Sequence, residues 1–210
     1  MMTYYSPKIK QYRRYRKAGK DLHHKVIGRY VKDDVLEEAA RALGLGKNRQ
    51  LDLDNEEELS VLMEYAIYEI KRDSEWNFIE QYQDEVGGKN RVERELLAAK
   101  ARAETGLFRV KGVWPERHNI ELVSITGEME NITLTDIGFS QSMLTDVIMF
   151  FRPIRLPEFT TTSGISFVYP GELQEELQEI WQEWKLNSSA ERYVKAFQLY
   201  KSKGFPTLYV

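Results

Sequence analysis

The chain of 210 residues contains no cysteine. That absence excludes a disulfide framework, thiol catalysis, iron–sulfur clusters and cysteine-based zinc sites together. Histidine is nearly as scarce, with His23, His24 and His118 the only three. No stretch approaches the roughly 18 uncharged apolar residues of a membrane span, and the N-terminus has no apolar core of a signal peptide. Six prolines and 13 glycines are too few for a collagen-like or linker-dominated chain. No internal repeat and no low-complexity tract interrupts the sequence. These absences predict a cytoplasmic globular protein without a membrane partner.

What is present is unevenly charged. Apolar residues make up 42% and charged residues 30%, as in an ordinary globular domain. The net charge of −3 conceals an asymmetry between four segments. Residues 1–32 hold ten Lys or Arg against the single acid Asp21, a basic, Tyr-rich helical arm. Residues 33–106 hold ten bases against 19 acids, an acidic helical region. Residues 107–169 form a small β unit of charge −2, and 170–210 a C-terminal helix pair of charge −1. A basic arm beside an acidic body can attract nucleic acid, or dock on the acidic helices of its own or a second chain.

The first half has the helical period. Ser6-Pro7 reads as N-cap and first turn, followed by Tyr5, Ile9 and Tyr12 at helical spacing. Gly19 is expected to end or kink this helix, with a second one over 22–31. Asp34 and Glu37 read as a capping box for a helix over 35–43, stopped by Gly44. Asn55 and Glu58 open the next helix, over 56–70, which is apolar on nearly every face and so expected at the centre of the core. Trp76, Ile79, Tyr82 and Val86 mark a further amphipathic helix ended by Gly87-Gly88. Val92, Leu96, Ala99 and Ala103 mark the one after it.

From Leu107 the period changes to two. Phe108/Val110, Ile120/Leu122, Ile132/Leu134, Val147/Met149/Phe151 and Ile165/Phe167/Tyr169 are five alternating runs separated by turn residues. Pro153 and Pro157 place the end of the fourth strand on an edge. Two helices close the chain, the second opened by a Ser188/Glu191 capping box. The predicted class is α+β: a helical N-terminal half, a small antiparallel β meander or partly closed barrel, and a C-terminal antiparallel helix pair.

Recognisable chemistry is sparse. His23 and His24 point about 100° apart on a helix and cannot clasp one metal as an i, i+4 pair does; solvated surface histidines are the simpler reading. His118 has no nucleophile or acid at a triad spacing. Gly44-Leu45-Gly46-Lys47 follows a helix and lacks the Ser/Thr of a phosphate loop. Asp52, Asp54 and Glu56 alternate like a calcium loop, but Glu57 and Met63 stand where that loop needs Gly and Glu. No residue is assigned a catalytic, cofactor-binding or metal role, and no cofactor is expected. The candidate anion or partner contacts are Tyr12, Arg13, Arg14, Tyr15, Arg16 and Lys17 of the arm. Arg152 and Arg155 join them, unless they only blunt an exposed strand edge.

The run 122–152 carries a strand, Thr126-Gly127-Glu128, a strand ending at Asp136, Ser140 or Ser142, and a strand closing on Arg152. It resembles a β module of an uncharacterised bacterial protein family. The resemblance implies a small barrel beside helices and no known activity. The expected function is a non-enzymatic interaction or assembly protein, with a protein partner or self-association. A nucleic-acid-associated protein using the arm, and an enzyme with an unrecognised site, stay open as alternatives.

Overall fold

The computed structural model describes residues 6–47, 50–72 and 75–205. Tyr4 and Tyr5 of the arm lie outside them. The arm is one helix, α1 (Pro7–Tyr30), whose Ser6 hydroxyl accepts a bond from the Ile9 N–H. Gly19 does not end it. A helical glycine costs only about 1 kcal/mol relative to alanine, and the buried side chains Tyr12, Tyr15, Leu22 and Val26 on both sides of it offset that cost.

α2 (Asp33–Leu43) begins one residue before the expected cap, with Lys32 at the N-cap and no side-chain cap bond. Asp33 and Asp34 occupy its first turn, where the macrodipole favours them. Gly44 ends it in the left-handed conformation, φ 74°. A two-residue hairpin unforeseen from the sequence, β1 (Gly46–Lys47) with β2 (Gln50–Leu51), leads to α3 (Glu56–Glu69). Asn55 caps α3 through the Glu58 N–H, and Glu58 accepts from the Asp54 N–H. Val61, Leu62, Ala66 and Ile67 are fully buried, so α3 is central as its pattern predicts. α4 (Phe78–Glu85) and α5 (Arg91–Ala101) complete the helical half. Ile79 and Tyr82 face inward, whereas Trp76 and Val86 flank α4 and lie exposed.

The five alternating runs are five strands: β3 (Gly106–Trp114), β4 (Asn119–Ser124), β5 (Ile132–Thr135), β6 (Ile148–Arg155) and β7 (Thr160–Tyr169). They close a barrel in the order β3-β4-β5-β7-β6, with β6 pairing back to β3. Closure is complete, and one pairing, β5 with β7, is parallel. Phe108, Val110, Leu122, Leu134, Met149 and Phe151 fill the interior. α6 (Ile137–Ser142) adds Phe139 to the same cluster.

The edge expected around Pro153 is half real. β3 pairs with residues 148–151 and stops, so Pro153 sits where no partner on that side needs its missing N–H. β7 still pairs along the other side, and the gap is covered by the segment after α5, whose Ala103 carbonyl accepts from Arg152.

α7 (Gln174–Trp184) and α8 (Ser189–Lys203) close the chain, and the Ser188/Glu191 capping box is present in both directions. Leu177, Trp181, Tyr193 and Phe197 bury against the outside of the barrel and α3. A single larger core runs from Tyr12 of α1 through α3 and the outer barrel face to Tyr200 of α8.

Candidate functional site: a cleft between α1 and the barrel

The arm packs on the acidic helices. Lys25 pairs with Glu93 at 2.7 Å and Arg29 with Glu85 at 2.7 Å, and the Tyr15 hydroxyl donates to Glu95. Tyr12 and Tyr15 point into the core, each edge-on to Phe159, the residue before β7. The Tyr12 hydroxyl donates to Asp136 at 3.0 Å. Burial, reinforced by that carboxylate, pushes the Tyr12 phenol up to about 12. Neither ring is free to stack on a partner. The solvent face of the helix carries Arg13, Arg14 and Lys17, all exposed.

Arg152 departs furthest from its expected role as an edge charge. It is 4% exposed, ion-paired to Glu69, and stacked over the Tyr68 ring at 4.2 Å. A buried guanidinium needs a charged partner and further acceptors, and the Ala103 carbonyl supplies one at 2.6 Å. Arg155 is exposed. Asp136, from the same resembling run, caps α6 through the Phe139 N–H.

Between α1, α3 and α5 on one side and the start of β7 with α6 on the other lies a cleft of about 780 Å³. That volume is within the roughly 300–1,000 Å³ of small-molecule sites. Its walls are mainly apolar, with Met63, Leu96, Phe139, Ile154, Phe159 and Ile165. Three glycines, Gly19, Gly138 and Gly164, also line it. Gly164 has φ 143°, a conformation side chains resist. Gly19 has no such need, because a Cβ there would sit an ordinary 3.9 Å from Leu96. Its missing side chain leaves open space in the cleft.

Polar groups converge on the same space from four elements. Arg16 of α1 donates to the Thr162 carbonyl at 3.4 Å. Ser163 of β7 donates to Glu64 of α3 at 2.7 Å. Burial pushes the Glu64 carboxyl up, while Arg152 and the Ser163 hydroxyl oppose the shift. Lys100 of α5 is 5% exposed and donates to the Tyr68 hydroxyl at 3.1 Å. The Thr161 and Thr162 hydroxyls are buried and have no hydrogen-bond partner in the protein.

His23 also lines the cleft, correcting its reading as a solvated histidine. Desolvation, then the charges of Lys100, His24 and Arg16, hold its imidazole down at about 4, so it is neutral at physiological pH. His24 is exposed, with its ring 6.3 Å from that of His23. Among the described residues, no cluster of three or more metal-ligating side chains occurs, and no helix is long and apolar enough to cross a membrane.

A model of a family of unknown function, DUF7986, matches residues 6–210. The chain belongs to that family. No curated protein and no solved structure matches the chain. The match covers the helices, the barrel and the closing pair together, so the cleft lies wholly within the span that defines the family.

Sequence reasoning selected Tyr12, Tyr15 and Arg16, which do line the cleft. It missed Lys100, Glu64, Gly19 and the Thr161–Ser163 run. Lys100 had one available signal. It falls on the face of Leu96 and Ala99 in α5, where a lysine is out of place unless it has a buried partner.

Proposed function

We propose that this protein is a non-enzymatic binding protein whose recognition site is the cleft between α1 and β7, and that its ligand is a small, largely apolar organic molecule. The observation that carries this reading is a 780 Å³ cleft with apolar walls, lined in part by Thr161, whose buried hydroxyl has no partner in the protein. Buried polar groups without partners are costly, and a ligand that supplies the missing acceptor removes that cost. A few convergent polar groups in an apolar hollow are the usual make-up of such sites. The alternative recognition surfaces are weaker. The exposed apolar side chains Leu51, Trp76, Leu144 and Leu186 belong to separate elements, and single ones are normal on soluble proteins.

A neutral fluorescent probe tests the reading without prejudging the ligand's charge. N-phenyl-1-naphthylamine should bind the full chain saturably at one site, with its emission enhanced. Met63→Trp, which fills the cleft from a half-buried position of α3, should abolish the enhancement while leaving the circular dichroism unchanged. Binding that Met63→Trp does not weaken refutes the cleft as the site.

A second reading, an anionic polymer on the outer face of α1, is favoured by the exposed row Arg13, Arg14 and Lys17. Phosphate contacts of that kind make affinity fall steeply with salt. With Tyr12 and Tyr15 buried and Tyr30 stacked on Phe78, the tyrosine rings of the described arm are already engaged. The expected result is no binding of duplex DNA at physiological salt; tight, salt-sensitive binding supports this second reading instead.

A further inference from the structure

Lys100 is buried, and its one side-chain hydrogen bond goes to the Tyr68 hydroxyl. No carboxylate lies within ion-pair distance of it among the described residues. Buried charges are ordinarily paired, because an uncompensated one is strongly disfavoured. Glu69 holds Arg152, while Glu64 accepts from the Ser163 hydroxyl and feels the charge of Lys100 without touching it. Lys100 therefore makes no contact ion pair, and Glu64 acts on it only from further off. Resting on the reading of the cleft as a ligand site, we infer that the ligand carries a carboxylate head that seats on Lys100, flanked by Arg16 and the Thr161 hydroxyl, with an aliphatic tail along Met63, Leu96 and Phe159.

Charge sets the valence of that head. Arg16, Lys20 and Lys100 line the cleft against Glu64 and Asp136, an excess of one positive charge. A monoanion neutralises it. A phosphate dianion overshoots and faces the two carboxylates of the same cleft. Lys100 and Arg16 both act on His23, which lines the cleft with them. Neutral His23 beside them adds no further charge but can still hydrogen-bond the head.

The test uses the full chain and four probes: decanoate, decan-1-ol, decyl phosphate and decyltrimethylammonium, each titrated calorimetrically at low salt. Decanoate should bind at one site at least tenfold more tightly than the alcohol or the phosphate, and the cation should not bind. Lys100→Met keeps the aliphatic stem and removes the charge. It should bring the affinity for decanoate down to that for decanol. Should that variant not fold, Arg16→Gln at a half-buried position serves instead, with a loss of several-fold for decanoate alone. Equal affinity of parent protein for decanoate and decanol overturns the carboxylate seat and leaves the cleft reading standing. A preference for decyl phosphate overturns the monovalent head. Binding of none of the four overturns both readings.

Discussion

Gly19→Ala separates the two physical demands on α1. A glycine inside a helix is about 0.8–1.0 kcal/mol less favourable than alanine. The added methyl meets only Leu96 Cδ2 at 3.9 Å, an ordinary contact, so no strain opposes the gain. The substitution should stabilise the fold by about 1 kcal/mol. For a chain of this size that raises the melting temperature by about 2–4 °C, readable by calorimetry or circular dichroism. The same methyl projects into the cleft, and one misplaced methyl in an apolar pocket costs about 1–3 kcal/mol of affinity, or 10- to 200-fold. Gly28→Ala is the control, because Gly28 is exposed on the same helix with nothing within 4 Å of its added Cβ. It should stabilise comparably and leave probe binding unchanged. A Gly19→Ala protein that melts no higher than its parent refutes the regular, unstrained helix. One that melts higher and binds N-phenyl-1-naphthylamine as before refutes the placement of the ligand over Gly19.

Three further outcomes follow from the packing and the charges. Leu62→Ala and Ile67→Ala each leave a cavity at a fully buried position of α3 and should cost about 2–5 kcal/mol in urea unfolding; variants that melt with the parent contradict the burial of α3. Glu69→Gln strands the buried Arg152 guanidinium and should cost about 3–5 kcal/mol, whereas replacing both partners with apolar residues of similar volume should cost much less; equal losses mean the pair is not the buried unit described. His23 has a folded pKa near 4, below the roughly 6.5 of the unfolded chain, so the unfolded state alone gains its proton as pH falls between those values. Its contribution, at most about 3 kcal/mol, is full above pH 6.5 and lost toward pH 4. His23→Gln should therefore flatten the decline of melting temperature over that window; an unchanged slope argues that His23 is open to solvent.

Local features of this fold are legible in the sequence, because period and capping are local physics. The change from helical to two-residue spacing at Leu107 locates the barrel, and Ser6, Asn55 and Ser188 mark helix starts by the bonds their side chains accept. Gly19 reads as a helix stop and is not one, for a physical reason. A glycine that bends a helix and one that leaves room beside it look alike in one dimension, and only the neighbouring Leu96 decides. Arg152 looked like an edge charge because Pro153 follows it. Its partner Glu69 lies 83 residues earlier, a separation that no periodicity reports. The cleft has the same character. Arg16, Glu64, Lys100 and Ser163 come from four elements, and each alone reads as an ordinary charged or polar residue. Asp136 was singled out only as the end of a strand, and its bond to Tyr12 ties the arm to the barrel across 124 residues.

The most direct test of the cleft as a carboxylate-ligand site is an amide chemical-shift map of the full chain during titration with decanoate. The account predicts saturable shifts confined to the cleft, at Gly19, His23, Lys100 and Thr161–Gly164, with Leu144 and Leu186 unmoved. Shifts that concentrate instead on Arg13, Arg14 and Lys17 of the outer α1 face, or that never saturate, contradict it.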